Sequence, residues 1–364
     1  MSTFITAALL CFLAALSVES AQPVAFAGLA FRGTVAEESL FFPYSSKVIS
    51  PEWNQKAADV LRQRPPRHFK TILGLSDFDK GETLAVACVL DSETVAIEDS
   101  GDGFLLRISL GAEALFIDFK SRAVVSAFPF VLTVSDYLDH RPEINEVAER
   151  IRLITDNTDE RPSLLNHFAD VIGEARPKAR VGGILQVRHV DLEEKALKFL
   201  PEAYSRDTRQ LKFWLAQQFG AELAKHHGVA VLPYSQDAAM GQMALRFKSR
   251  ADIINLKIPE PSYSLDLTLR GFSKTVAKET ASEVAWVYGA YFTIRFYQQL
   301  LNKAYLHEES KHGYTRVVPK SKVSMNDWLG FERSLMDFCA NYAISFGNGK
   351  NQREVKEALQ KCMY

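Results

Sequence analysis

The chain has 364 residues, 43 of them Lys or Arg and 44 Asp or Glu, for a net charge of −1. That balance leaves no electrostatic footprint for nucleic acid, and the composition, 47% hydrophobic and 24% charged, is that of a soluble globular protein. A chain of this size exceeds what one hydrophobic core usually supports, so two domains are expected.

The first element is an uncharged apolar run from Phe4 to Leu16. It is too short to span a bilayer, which takes roughly 20 residues, and it fits the central region of a secretory signal peptide ending near Ala21. No Lys or Arg precedes it, and cleavage after Ser20 or after Ala21 remains open. Cys11 follows Leu10 inside the run, which argues against a lipid-anchored cysteine. No later stretch is apolar enough to cross a membrane as a helix, and the chain has no Asn-X-Ser/Thr glycosylation acceptor. Together these features point to a periplasmic protein.

Val24–Phe31 reads as a strand, and a helix follows from Ser50 through Trp53, Ala57, Val60 and Leu61 until Pro65-Pro66 stops it. From Lys70 to Tyr137 short apolar runs alternate with turn signals, predicting an antiparallel meander with a hairpin loop at Asp99–Gly103. Helices are expected over Glu143–Ile154 and Ser163–Ala175. The segment Ala175–Gly183, ARPKARVGG, reads as the domain boundary. These features predict an α+β domain with an antiparallel sheet over residues 22–175, followed by a smaller α/β domain over 184–364 closed by a helical hairpin.

The second half is organised around Asp207–Ser235. Leu211, Trp214, Leu215, Phe219 and Leu223 recur at helical spacing. Gly228 ends that helix, and Val229–Leu232 forms a short strand closed by Pro233. Ala238–Ala251 reads as two helix-like turns, Tyr263–Phe272 and Glu283–Tyr297 as strands, and Tyr314–Val318 as a shorter one. Asn326–Ser345 and Arg353–Met363 are helices around a Gly-Asn-Gly turn. Antiparallel packing of those two helices would set Cys339 opposite Cys362, and an oxidising compartment would join them in a disulfide. Cys88, in the run LAVACVL, is expected to be buried.

Motifs with known chemistry are missing. The sequence has no Gly-rich phosphate loop, no paired-cysteine zinc spacing, no His-Glu-X-X-His and no Gly-X-Ser-X-Gly elbow, so no cofactor, metal or catalytic residue is assigned. Asp77 with Asp79, and Asp99 with Asp102, supply carboxylates without the spacing of a calcium loop. His226 and His227 end a helix and point about 100° apart. A catalytic site would need His189, His307 and His312 to converge in the fold.

Aromatic residues stand out instead. On a strand, Trp286, Tyr288 and Ala290 share one face, and Val287, Gly289 and Tyr291 the other. Both faces thus carry aromatic surface: either the organising helix packs on one and Asn326–Ser345 covers the other, or Trp286, Tyr288 and Tyr291, with Tyr234, Ser235 and Tyr263, offer a surface for an envelope protein partner. The order of strand, amphipathic helix, Gly228 and VAVLPY, then the alternating YSLDLTLRGF and a late helix, resembles the TolB amino-terminal-like α/β domain of bacterial envelope assembly and accessory proteins over residues 184–346. That resemblance implies binding or assembly without catalysis. The expected function is therefore that of a non-catalytic periplasmic accessory protein acting through protein contacts. The alternatives are an envelope hydrolase whose site forms only in the fold, and a periplasmic solute-binding protein with its ligand between the domains.

Overall fold

The computed structural model describes residues 22–34, 41–73, 84–99, 102–156, 162–177, 183–235, 242–248, 253–321, 326–348 and 351–362. The expected signal peptide, the Asp77–Asp79 pair and the middle of the Ala175–Gly183 boundary lie outside these residues. The fold is α+β, built on two sheets.

The first sheet contains β1 (Pro23–Arg32), β2 (Lys70–Ile72), β3 (Leu84–Asp99), β4 (Phe104–Asp118) and β5 (Ala123–Leu138). The expected short runs fuse into long strands: TLAVACVLD and TVAIED belong to the single β3. Alternation explains why β3 begins as a continuous apolar run. Ala87 and Val89 face the inside of the curled sheet, whereas Val86, Cys88 and Leu90 face an outer helical layer. That layer is formed by α1 (Ser45–Val48), α2 (Trp53–Gln63), α3 (Ile144–Asp156) and α4 (Leu164–Glu174), with Trp53 and Phe168 buried between helix and sheet.

Two later strands close the sheet. β8 (Gln242–Phe247) pairs antiparallel with β1, and β9 (Ile253–Lys257) pairs with both β8 and β5. This corrects the expectation of helical turns over Ala238–Ala251 for its described part, residues 242–248. In QMALRF, Met243, Leu245 and Phe247 alternate with Ala244 and Arg246, and this period of two places the three apolar side chains in the interior of the first sheet. The two units therefore share chain, because β8 and β9, which lie in sequence between β7 and β10 of the second, complete the first.

The second sheet has the order β12-β11-β10-β6-β7, made of β6 (Leu185–Leu192), β7 (Val231–Leu232), β10 (Tyr263–Glu279), β11 (Glu283–Gln298) and β12 (Lys303–Pro319). The last three form an antiparallel meander, and β6 and β10 run parallel. The short helices α5 (Glu194–Leu197) and α6 (Glu202–Arg206) lead into α7 (Arg209–His227), which ends at Gly228 in the left-handed conformation, φ 62°. The helices α8 (Asp327–Ser345) and α9 (Gln352–Cys362) close the unit. Phe292 of β11 stacks on Phe338 of α8 at 3.9 Å between ring centroids, and Phe296 meets Phe346 at 5.5 Å.

Cys88, Cys339 and Cys362 are buried and no disulfide joins Cys339 to Cys362, which corrects the expected bridge. Equal distance from the turn did not bring the side chains together. Cys339 lies near Glu222 of α7, and burial pushes its thiol pKa up, whereas Cys362 lies beside Gly183 and close to Tyr263.

Candidate functional site

The two units meet where α7 packs across β3, β4 and β5 of the first sheet, and a buried polar joint forms there. Register places Val89 opposite Glu113 and Ser92 opposite Gly111, leaving Asp91 as the extra residue of a bulge between Leu90 and Ser92. Asp91 and Glu113 are 3% and 2% exposed. Arg32, at the end of β1, donates from Nε to Asp91 Oδ1 at 2.5 Å, from Nη2 to Glu113 Oε1 at 2.9 Å, and from Nη1 to the Tyr234 carbonyl at 2.9 Å. Gln217 of α7 completes the joint. Its Nε2 donates to Asp91 Oδ2 at 2.9 Å, and its Oε1 accepts from Ser92 Oγ at 2.8 Å. Helix and strand can come this close because residue 111 is glycine: a Cβ there would overlap both Gln217 Oε1 and Ser92 Oγ.

Burial raises the pKa of both carboxyls. Glu113, with Asp91 beside it and Arg32 opposing, is raised to about 8, and Asp91 is raised chiefly by burial. Phe213, one turn before Gln217, lays its ring 4.8 Å from the Arg32 guanidinium carbon.

Phe213 and Ser92 are also the edge of a cleft of about 380 Å³. One wall is β3 from Ser92 to Ile97, with Phe41 and Pro43 beside it. The opposite wall carries Tyr204 of α6, Gln210 and Trp214 of α7, and Asn326, Trp328 and Glu332 at the start of α8. Two of its rings, Tyr204 and Trp328, lie 5.4 Å apart and tilted by 53°. The ionisable carboxylates of the lining are Glu93 and Glu332. Glu93 accepts from the backbone N–H groups of Tyr44 at 3.0 Å and Ser45 at 2.7 Å, capping α1. Glu332 faces Arg107 Nη2 at 3.3 Å, and its Oε2 accepts no hydrogen bond. Burial raises the pKa of both carboxyls.

The residues picked out for a partner from sequence are dispersed. Tyr234, Tyr263 and Tyr288 belong to the core, at 8%, 2% and 0% exposure, and Ser235, Trp286 and Tyr291 are half-buried. Trp286 and Tyr288 lie on the helix-covered face of β11, with Lys274 Nζ over the Trp286 ring at 4.2 Å. Tyr291 lies on the opposite face and shares a hydrogen bond with Ser273. His189 and His307 stand in one cross-strand row, separated by Asp266 and Arg295, while His312, paired with Ala290, falls on the other face. The three histidines do not converge. His227, at the end of α7, is hydrogen-bonded to the Ala343 carbonyl of α8 at 2.7 Å. Among the described residues no group of three or more His, Cys, Asp or Glu side chains could hold a metal ion, and no helix is long and apolar enough to cross a membrane.

Sequence reasoning placed Trp214 in the core and had no means to find the cleft, whose walls come from five separate parts of the chain. No protein-family model and no curated protein matches the sequence. Among solved structures the chain is similar to a hypothetical protein from Chlamydia trachomatis, at 9% identity and a TM-score of 0.26, over 44% of this chain and 96% of that one. It is similar to a putative neuraminyllactose-binding hemagglutinin homolog from Helicobacter pylori, at 12% identity and 0.27, over 50% and 97%. It is also similar to a minor lipoprotein from Acinetobacter baumannii, at 10% identity and 0.22, over 49% and 92%. At these TM-scores the likeness specifies neither fold nor function.

Proposed function

We propose that the protein is a non-catalytic binding protein of the bacterial cell envelope, and that its ligand enters the aromatic cleft between the two units. The observation that carries the reading is the cleft itself, which has the volume of a small-molecule site and walls of aromatic rings with a few polar groups at fixed positions. Its walls belong to both units, and the Arg32–Asp91–Gln217 joint at its edge holds them in one arrangement. The apolar run Phe4–Leu16 and the resemblance of residues 184–346 to the TolB-like domain support the envelope location. The hydrolase alternative has lost the convergence of histidines it required. A second reading, contact with an envelope protein, is favoured by the face of the second sheet that carries Tyr291, Thr293 and the exposed Arg295, opposite the helix-packed face.

Photocrosslinking in intact cells separates the two readings, with the reactive residue placed at Gln210 in the cleft or at Thr293 on the open face. The cleft reading expects a small-mass adduct at residue 210 that disappears when Ala96→Trp fills the space. A protein adduct at residue 293 with nothing at 210 would overturn it in favour of the partner reading. No adduct at either position would overturn both.

A further inference from the structure

We infer, building on the cleft as the binding site, that its ligand is a short, uncharged peptide that enters as an extended strand and pairs with the open edge of β3 from Ser92 to Ile97. A change of partner opens that edge. β1 runs beside β3 only as far as Phe31 opposite Leu90, and its last residues, Ala30–Arg32, pair with β8. Past the Asp91 bulge, β3 keeps β4 on one side, out to Asp99 opposite Phe104, and among the described residues has no strand on the other. In an antiparallel pair every second residue turns both its N–H and its C=O away from the partner strand, so about three of these six residues aim donor and acceptor away from β4. Among the described residues no hydrogen bond from outside β4 reaches the backbone of Ser92–Ile97.

All six residues line the cleft. Ser92, with Thr94 and Ala96 on its face of the strand, turns towards Gln217 of α7, whereas Glu93 caps α1 and Val95 and Ile97 pack on the outer layer. A strand that lines a space with residues of both faces borders that space with its edge. The lining then selects among extended ligands. Glu93 is engaged by the N–H groups of Tyr44 and Ser45 and Glu332 by Arg107, and no Lys, Arg or His lines the cleft, so nothing there favours a charge. The facing wall instead offers the rings of Tyr204, Trp214 and Trp328. Main-chain hydrogen bonds to a sheet edge supply affinity, and contacts to alternate side chains supply specificity. None of the six edge residues is the Lys or Pro that blunts a free edge. The volume of about 380 Å³ admits a few residues of extended chain and excludes a second folded sheet.

The test uses the purified protein with acetylated, amidated pentapeptides that alternate Val with Leu, Phe or Tyr, read by calorimetry and by amide hydrogen exchange. The tightest binder is remade with N-methyl groups on every odd or on every even residue, which removes the donors of one strand edge at a time. Methylation of the edge that faces β3 should weaken binding about tenfold or more, and methylation of the other edge by less than about threefold. Bound peptide should slow exchange of backbone N–H groups within Ser92–Ile97. Ala96→Trp should abolish binding, with circular dichroism confirming that the variant is folded. Equal affinity of the two methylated forms, or binding without slowed exchange at Ser92–Ile97, would overturn the strand pairing while leaving the cleft as a binding site. Failure of every peptide alongside a small-mass photoadduct at residue 210 would do the same. A protein-sized adduct at residue 210 would overturn the free peptide in favour of a strand still attached to its protein. Failure of both experiments would overturn the cleft reading as well.

Discussion

Arg32→Met is the sharpest test of how the two units are held together. The Arg32 side chain is 14% exposed, and all three of its nitrogens donate hydrogen bonds, to two carboxylates and one carbonyl. Methionine preserves much of the stem volume under Phe213 but leaves the buried Asp91 carboxylate without its cation and the Glu113 carboxyl without its donor. Removing one partner of a buried ion pair costs about 3–5 kcal/mol, a large share of the roughly 5–15 kcal/mol that holds a domain folded. At about 2–4 °C per kcal/mol for a unit of this size, melting should fall by roughly 6–20 °C. Denaturant unfolding at pH 7 measures the free energy directly. Adding Asp91→Asn to Arg32→Met should recover part of the loss, because the stranded Asp91 charge disappears. A loss below about 1 kcal/mol, the value of a surface pair, would refute the reasoning. So would strictly additive effects of the two substitutions, since groups in one network must couple.

The remaining predictions concern single residues. The folded chain holds the Glu113 proton up to about pH 8, whereas the unfolded chain releases it near the ordinary value of 4.5. The contribution of this group is therefore complete below about pH 4.5 and is lost as pH rises through about 8. Glu113→Gln should flatten that decline in a series of melts from about pH 5 to pH 8, and an unchanged slope would assign the titration elsewhere. Gly330→Ala should destabilise by about 1–3 kcal/mol in denaturant unfolding, despite the better helix propensity of alanine, because its Cβ would stand 2.5 Å from Cγ of Tyr288; a stabilised variant would show that α8 is free to shift. Thiol titration without reductant should find Cys88, Cys339 and Cys362 unreactive in the native protein and all reactive after denaturation, and a missing pair would restore the disulfide.

Much of the fold was legible because it rests on local periodicity. The α7 stripe Leu211, Trp214, Leu215, Phe219 and Leu223 is buried, and Gly228 ends the helix as its position suggested. The period of two sorted Trp286, Tyr288 and Ala290 onto one face of β11, but it did not say which face the helices would cover. The candidate site was not legible, because its parts are joined by contacts of long sequence separation. Asp91 and Gln217 are 126 residues apart. Each alone reads as solvated polar surface, Asp91 as the end of an apolar run and Gln217 as the outer face of an amphipathic helix. A helix with one apolar stripe can be recognised from sequence, but α7 is buried on two sides, and its second contact is made by amides.

Those amides set more than stability. Apolar replacement of a buried ion cluster is often neutral or stabilising, so the joint is better understood by what it positions. The Gln217 side chain donates to Asp91 and accepts from Ser92, and a slip of α7 by one turn would leave both without it. The same register carries Phe213 four residues earlier and Gln210 seven residues earlier into the cleft. Gln217→Leu should thus uncouple position from stability. Arg32 still holds Asp91 Oδ1, so only Oδ2 is left without its donor, and the expected cost is about 1–3 kcal/mol. The helix, however, loses its index on β3, and quenching of Trp214 by acrylamide should rise. If Gln217→Leu left quenching at the parental value while lowering stability by the expected amount, the joint would be a fastening only, and the shape of the cleft would depend on the apolar stripe of α7 alone.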